Sequence, residues 1–143
     1  MCGGLSFKVS KIPKAELKKF YSDLDIVKFK SRGVAESFYW NKKPALPVKE
    51  GKQIKLYDWG NRDKKVNLPQ TGWAKKESVD SDKWSYLDPK SVKIPVNKGY
   101  EKGIWFKPKR DSFNGLMIEK DKKKHIYMIT KQASPKYQDM THH

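Results

Sequence analysis

Cys2 follows Met1 directly, and a small residue in second place favours removal of the initiator, which would leave Cys2 at the N-terminus. A thiol and an α-amine would then sit on adjacent carbons. The α-amine of a peptide titrates at about 7.7–8.0, so an appreciable fraction is neutral and nucleophilic near pH 7. Such an amine condenses with an aldehyde to an imine, and the neighbouring thiol can close a five-membered thiazolidine ring. Gly3-Gly4 lets the backbone behind it bend closely against a ligand or a core. A cysteine in second place is also often incidental, and both readings stand on this residue alone.

Glu101, in Lys98-Gly99-Tyr100-Glu101-Lys102-Gly103, is a carboxyl beside an aromatic and between two strand candidates. Its pKa can be raised there for general acid–base work, or it can be a surface carboxylate paired with Lys98 or Lys102. His143 suits proton shuttling near neutral pH, or belongs with His142 to a ragged or tagged end. Trp40, Trp59, Trp73, Trp84 and Trp105 are interleaved with Lys. Stacking for bases beside charge for phosphates is what a sequence-tolerant single-strand groove requires. Most of these rings are expected in the core, with Trp73, between Gly72 and Ala74-Lys75-Lys76, the best candidate for exposure.

Composition narrows the partner. Thirty-two Lys and Arg against sixteen Asp and Glu give a formal charge of +16, and only Arg32, Arg62 and Arg110 are arginines. Lysine is a point charge suited to phosphate without base readout, so a polyanion held through its backbone is the natural partner; a merely Lys-rich soluble surface is the alternative. No stretch approaches the ~20 apolar residues of a membrane span, and no basic segment followed by an apolar block marks a secretory signal. A single cysteine excludes an internal disulfide and fits a reducing cytosol. With three scattered histidines, no metal site and no cofactor are expected.

The elements that must position these residues are short. Ile12 to Leu24 predicts one helix, with Pro13 in its first turn and Leu17, Phe20, Tyr21 and Leu24 on one face. Val34 to Trp40 and Lys52 to Trp59 predict strands, with a polar loop at Gly60 to Lys65. Val92 to Val96 and Gly103 to Phe106 are further strands. Leu116 to Glu119 and Ile126 to Thr130 form a hairpin around Asp121-Lys122-Lys123-Lys124, and Ser134-Pro135 starts a closing turn or helix to His142. A hydrophobic content of 36%, with aromatics at 13%, means a thin core built largely on rings. Together these predict one α+β domain over 1–143 with a mainly antiparallel, barrel-like β core and a few short helices.

In order along the chain, these residues resemble the SOS response-associated peptidase (SRAP) family. Met1-Cys2-Gly3 matches its opening, and Asn41 to Val48 approximates its Asn/Ala/Pro-type segment leading into a strand. Trp59-Gly60 matches its Trp-Gly pair, and Trp73-Ala74-Lys75-Lys76-Glu77-Ser78 its Asn-Ala-Arg-x-Glu-Thr segment. Gly99-Tyr100-Glu101 resembles its Gly-Phe-Tyr-Glu motif, and His143 the first residue of its His-Asp-Arg-Met-Pro. Two residues depart from the pattern: Trp73 replaces the Asn that bears on how a sugar aldehyde is oriented. Lys75 replaces the Arg, keeping charge but losing the planar fork. The family pattern continues past His143, so a shortened relative or a truncated chain is expected.

The resemblance implies covalent capture of abasic sites in single-stranded DNA, with Cys2, Glu101 and His143 catalytic and Asn41, Trp59, Trp73 and Lys75 contacting substrate or DNA. Cys2 would supply amine and thiol, Glu101 would shuttle protons, and His143 would assist opening of the sugar or reversal of the adduct. A cytoplasmic monomer that joins the nucleoid when bound to DNA is expected, shielding lesions in the DNA damage response. Two rivals remain at this stage: a cysteine-type peptidase, perhaps acting only on its own N-terminus, using the same residues, and a basic single-strand-binding module without covalent chemistry.

Overall fold

The computed structural model describes residues 2–131. In chain order they form β1 (Gly4–Lys8), α1 (Lys14–Leu17), α2 (Asp23–Arg32), β2 (Val34–Phe38), β3 (Ala45–Glu50), β4 (Gln53–Trp59) and β5 (Trp73–Lys75). There follow α3 (Lys76–Asp80), a 3-10 turn at Ser85–Leu87, β6 (Lys90–Pro95), β7 (Lys98–Glu101), β8 (Ile104–Phe106), β9 (Ser112–Lys120) and β10 (Lys123–Thr130).

The strands make two sheets. One is antiparallel throughout, in the order β2-β1-β7-β8. The other runs β3-β4-β10-β9-β6, with β5 also on β10. Its pairs are antiparallel except along β10, which meets β4 and then β5 in parallel. Because β6 returns beside β3, this sheet is nearly closed into a barrel. The chain is thus a single α+β domain with a barrel-like β core and few short helices.

The β9–β10 hairpin is central because both of its faces are buried. Met117, Ile126 and Met128 point into the main core with Leu5, Phe7, Leu46, Leu56 and Ile94. Leu116, Ile118 and Tyr127 point the other way, against Leu68, Ala74, Trp84 and Leu87 of the segment that wraps outside. A strand buried on both faces reads as a continuous apolar run rather than an alternating one, as Ile126-Tyr127-Met128 does. Tyr127 ties down the wrapping segment by donating to the Pro69 carbonyl at 2.8 Å.

Several expected elements are corrected. The single helix over 12–24 is two: α1 ends at Leu17, and α2 starts afresh behind Ser22, whose hydroxyl accepts from the Asp25 amide at 3.2 Å. Gly33, at φ 80°, closes α2 in the left-handed conformation. The hairpin turn is only Asp121-Lys122, both at positive φ as a two-residue I′ turn requires; Lys123 and Lys124 belong to β10. Glu101 lies on a strand, β7, rather than between two. The expected closing element at 135–142 lies outside the described residues.

Candidate active site at the start of β1

The backbone of Cys2-Gly3 is held from three directions. The Gly3 amide donates to the Tyr100 carbonyl of β7 at 2.9 Å, and the Gly3 carbonyl accepts from the Tyr39 amide beyond β2 at 3.0 Å. The Trp73 indole Nε1 donates to the Cys2 carbonyl at 3.0 Å. The thiol itself is half-buried and donates to the Gly4 carbonyl at 2.8 Å. Burial, reinforced by the negative charge of Glu101, pushes the thiol above its ordinary pKa, against the lowering effect of hydrogen bonds from the Tyr100 and Gly4 backbone.

Glu101 reaches this place through strand register. Gly4 pairs with Tyr100, Leu5 with Gly99 and Ser6 with Lys98, so one step further sets Glu101 across from Gly3. Residues about a hundred positions apart in sequence are therefore neighbours because β1 inserts between β2 and β7.

Behind Trp73 stands an aromatic wall. Tyr39 tilts against Trp73 with ring centroids 4.7 Å apart, and Trp59 meets both rings edge-on. Trp59 is 1% exposed and donates to the Gly72 carbonyl at 2.9 Å, so its expected contact with DNA is corrected to support of Trp73 from within the core. Trp73 is half-buried, and its Nε1 donor is engaged by the Cys2 carbonyl. Two glycines make the packing possible. A Cβ on Gly72 would fall 2.6 Å from the Tyr39 ring, and one on Gly60 would fall 2.1 Å from the Thr71 carbonyl. His125, buried in β10, holds the Gly60 carbonyl through Nδ1 at 2.9 Å; since a carbonyl only accepts, Nδ1 carries the hydrogen.

Asn41 braces a turn. Its side-chain oxygen accepts from the Phe38 amide at 2.9 Å. Arg62 fastens the same turn by donating to the carbonyls of Tyr39, Asn41 and Lys42, while its guanidinium lies 5.4 Å from the Tyr39 ring centre. Lys75 is exposed and, two residues along β5, projects to the same side as Trp73. His143 lies outside the described residues.

Sequence reasoning overlooked the exposed ring of the site. Phe38, Gly4, Tyr100 and Trp105 stand in register across four neighbouring strands. Gly4 leaves room for the Phe38 ring, which a Cβ there would meet at 2.3 Å. Phe38, Tyr100 and Trp105 consequently touch one another across it. Trp40 stacks on Phe38 at 4.7 Å, lies 5.8 Å from Tyr100 and is 60% exposed. The signal for Trp40 was its place just past a strand whose partner begins Gly3-Gly4. Cys2, Glu101, Trp73 and Trp40 are thus gathered around one backbone segment. Compared with family models, curated proteins and solved structures, the chain matches none.

Proposed function

We propose that this protein captures abasic sites in single-stranded DNA covalently through Cys2, after loss of Met1, in the manner of the SRAP family. The Cys2 amine nitrogen attacks the aldehyde carbon of the ring-opened sugar to give a carbinolamine. Loss of its hydroxyl as water leaves an imine; the thiol sulfur then bonds to the imine carbon, and its proton passes to nitrogen. One water is released, nothing is oxidised or reduced, and a thiazolidine joins protein to DNA. Glu101 carries the proton to the departing hydroxyl and returns it at ring closure. His143 takes the part the resemblance gives it, opening the sugar or reversing the adduct.

The observation that carries this reading is the pinning of Cys2-Gly3 by Tyr100, Tyr39 and Trp73, with Glu101 close enough to act on the thiol's charge. That arrangement holds the thiol still beside an acid–base group. Peptide hydrolysis would instead need the Cys2 thiolate as its first nucleophile, which is normally stabilised by a nearby positive charge. Here the amine attacks first, and ring closure is intramolecular. Effective molarities of about 10⁵–10⁸ M for well-placed groups offset a small thiolate fraction.

The test is a denaturing gel of protein incubated with single-stranded DNA carrying one abasic site. A heat-stable shifted band is expected for the natural chain. Cys2→Ala keeps an amine and loses the thiol, so its adduct should survive heating only after borohydride reduction. A heat-stable adduct from Cys2→Ala without reductant would refute ring closure, and DNA binding indifferent to both the lesion and Cys2 would leave only a basic binding module.

A further inference from the structure

A second basic surface lies away from Cys2, at the far end of β1. Lys8 stands at that end, six residues from Cys2 along extended chain, or about 20 Å at ~3.3 Å per residue. Lys11 follows it, and Lys49 and Lys52 approach from the β3–β4 turn. The loop after β8 adds Lys107, Lys109 and Arg110 and completes an open groove of about 1140 Å³.

The groove is more basic than the chain as a whole. Its lining has seven cationic side chains and one carboxylate, Asp111, whereas the whole chain has thirty-two cations to sixteen anions. All seven cations are exposed. The ion pairs seen elsewhere, such as Lys76–Asp80 at 2.6 Å and Lys123–Asp58 at 2.8 Å, have no counterpart among the seven within the described residues. Holding so many like charges around one concavity is unfavourable unless a polyanion enters it.

From this we infer that the groove is a second nucleic-acid contact, which holds the phosphodiester backbone of a strand without reading its bases. Lysine supplies point charges for phosphates, and the single arginine leaves little capacity for bidentate base contacts. A membrane surface fits less well. The groove is concave, and the large exposed apolar side chains Leu24, Val27, Trp40, Tyr86 and Ile104 all lie outside it. The inference extends the Cys2 reading, because a strand anchored ~20 Å from the reactive residue is held roughly six phosphates from the lesion at the 3.4 Å per-strand spacing of a duplex. It stands, however, on the groove and does not require Cys2.

The experiment measures affinity for an intact 20-nucleotide single strand, lacking any abasic site, as a function of salt. Two quadruple variants of equal charge are compared, Lys8, Lys49, Lys107 and Lys109 each→Gln in the groove and Lys14, Lys83, Lys90 and Lys122 each→Gln outside it. Each lost phosphate contact should lower the log–log salt slope by about 0.7, so the groove variant should lose about 2–3 units and the outside variant less than about 1. Equal losses in both, or none in either, would overturn the groove and leave only net charge. Loss of binding to phosphatidylserine vesicles, with oligonucleotide binding intact, would overturn it in favour of a membrane surface. A three-nucleotide abasic strand separates this from the Cys2 reading. The groove variant should crosslink it at the natural rate, and a matching loss of crosslinking would show that the substitutions act through the fold and overturn the groove. Failure of both proteins to crosslink this strand, with the salt result intact, would refute the Cys2 reading and leave the groove standing.

Discussion

At the scale of single residues, the proposed chemistry depends on a carboxylate whose neighbours are fixed by strand register. Glu101 follows Tyr100, whose carbonyl holds the Gly3 amide, so little rearrangement separates it from the reacting atoms. Glu101→Gln keeps the shape and removes the proton shuttle. Crosslinking should slow by about 10²-fold, as expected for general acid–base catalysis, while affinity for intact single strands stays within twofold; a stopped time course on denaturing gels checks both. Trp40 offers the complementary case. Its ring is exposed and lies on Phe38, so Trp40→Ala should leave thermal stability nearly unchanged yet weaken strand binding by roughly 1–3 kcal/mol, the usual value of one stacked base. Unaltered binding in a titration would remove Trp40 from the interface.

At the scale of elements, the site is built by a strand inserted between two others and by a tight crossing of loops beneath Trp73. Gly60 carries the crossing: φ is 62°, and its missing Cβ would overlap the Thr71 carbonyl. Gly33 has φ 80° but open space around it. Gly60→Ala should therefore cost at least about 3 kcal/mol, near 10 °C in Tm, against about 1–2 kcal/mol for Gly33→Ala, where only the left-handed backbone is penalised. Calorimetry on the pair separates overlap from backbone strain, and equal losses would contradict the close crossing. These elements were unequally legible. β2, β4, β6 and β8 could be read from β-branched and aromatic runs, and the β9–β10 hairpin from its two apolar blocks. β1 escaped because Gly4 and Ser6 blur its alternation, and those small residues are there to admit the Phe38 ring and the Asn97 and Lys98 contacts. α2 escaped because only Ile26 and Phe29 of its ten residues are buried, too thin a stripe for a 3.6-residue period; Ser22 and Gly33 were its readable ends. Cys2 and Glu101 were legible by type, whereas the support given by Trp59, Trp73 and Arg62 is a property of packing between segments far apart in sequence.

At the scale of the whole molecule, the two core clusters share the β9–β10 hairpin, so the outer segment and the barrel should unfold together. Several hydroxyls are locked into that structure. Burial pushes the Tyr21 and Tyr127 phenols well above their ordinary 10.0, and the Cys2 thiol moves the same way from 9.0. These groups hold their protons more tightly folded than unfolded. Their contribution is fully present below the unfolded values and is lost as pH rises through the folded ones. Urea midpoints should therefore change little between pH 7 and 8.5 and fall steeply above pH 10. A midpoint still level at pH 11 would contradict burial of these phenols.

The central claim concerns a bond, and intact-mass spectrometry of the reaction with a short abasic strand reads it directly. The account predicts a species at the summed mass of the Met1-lacking chain and the strand, less one water, stable to heat without reductant and carrying its DNA on Cys2 after proteolysis. An unmodified chain, or an adduct located on a lysine, would contradict it.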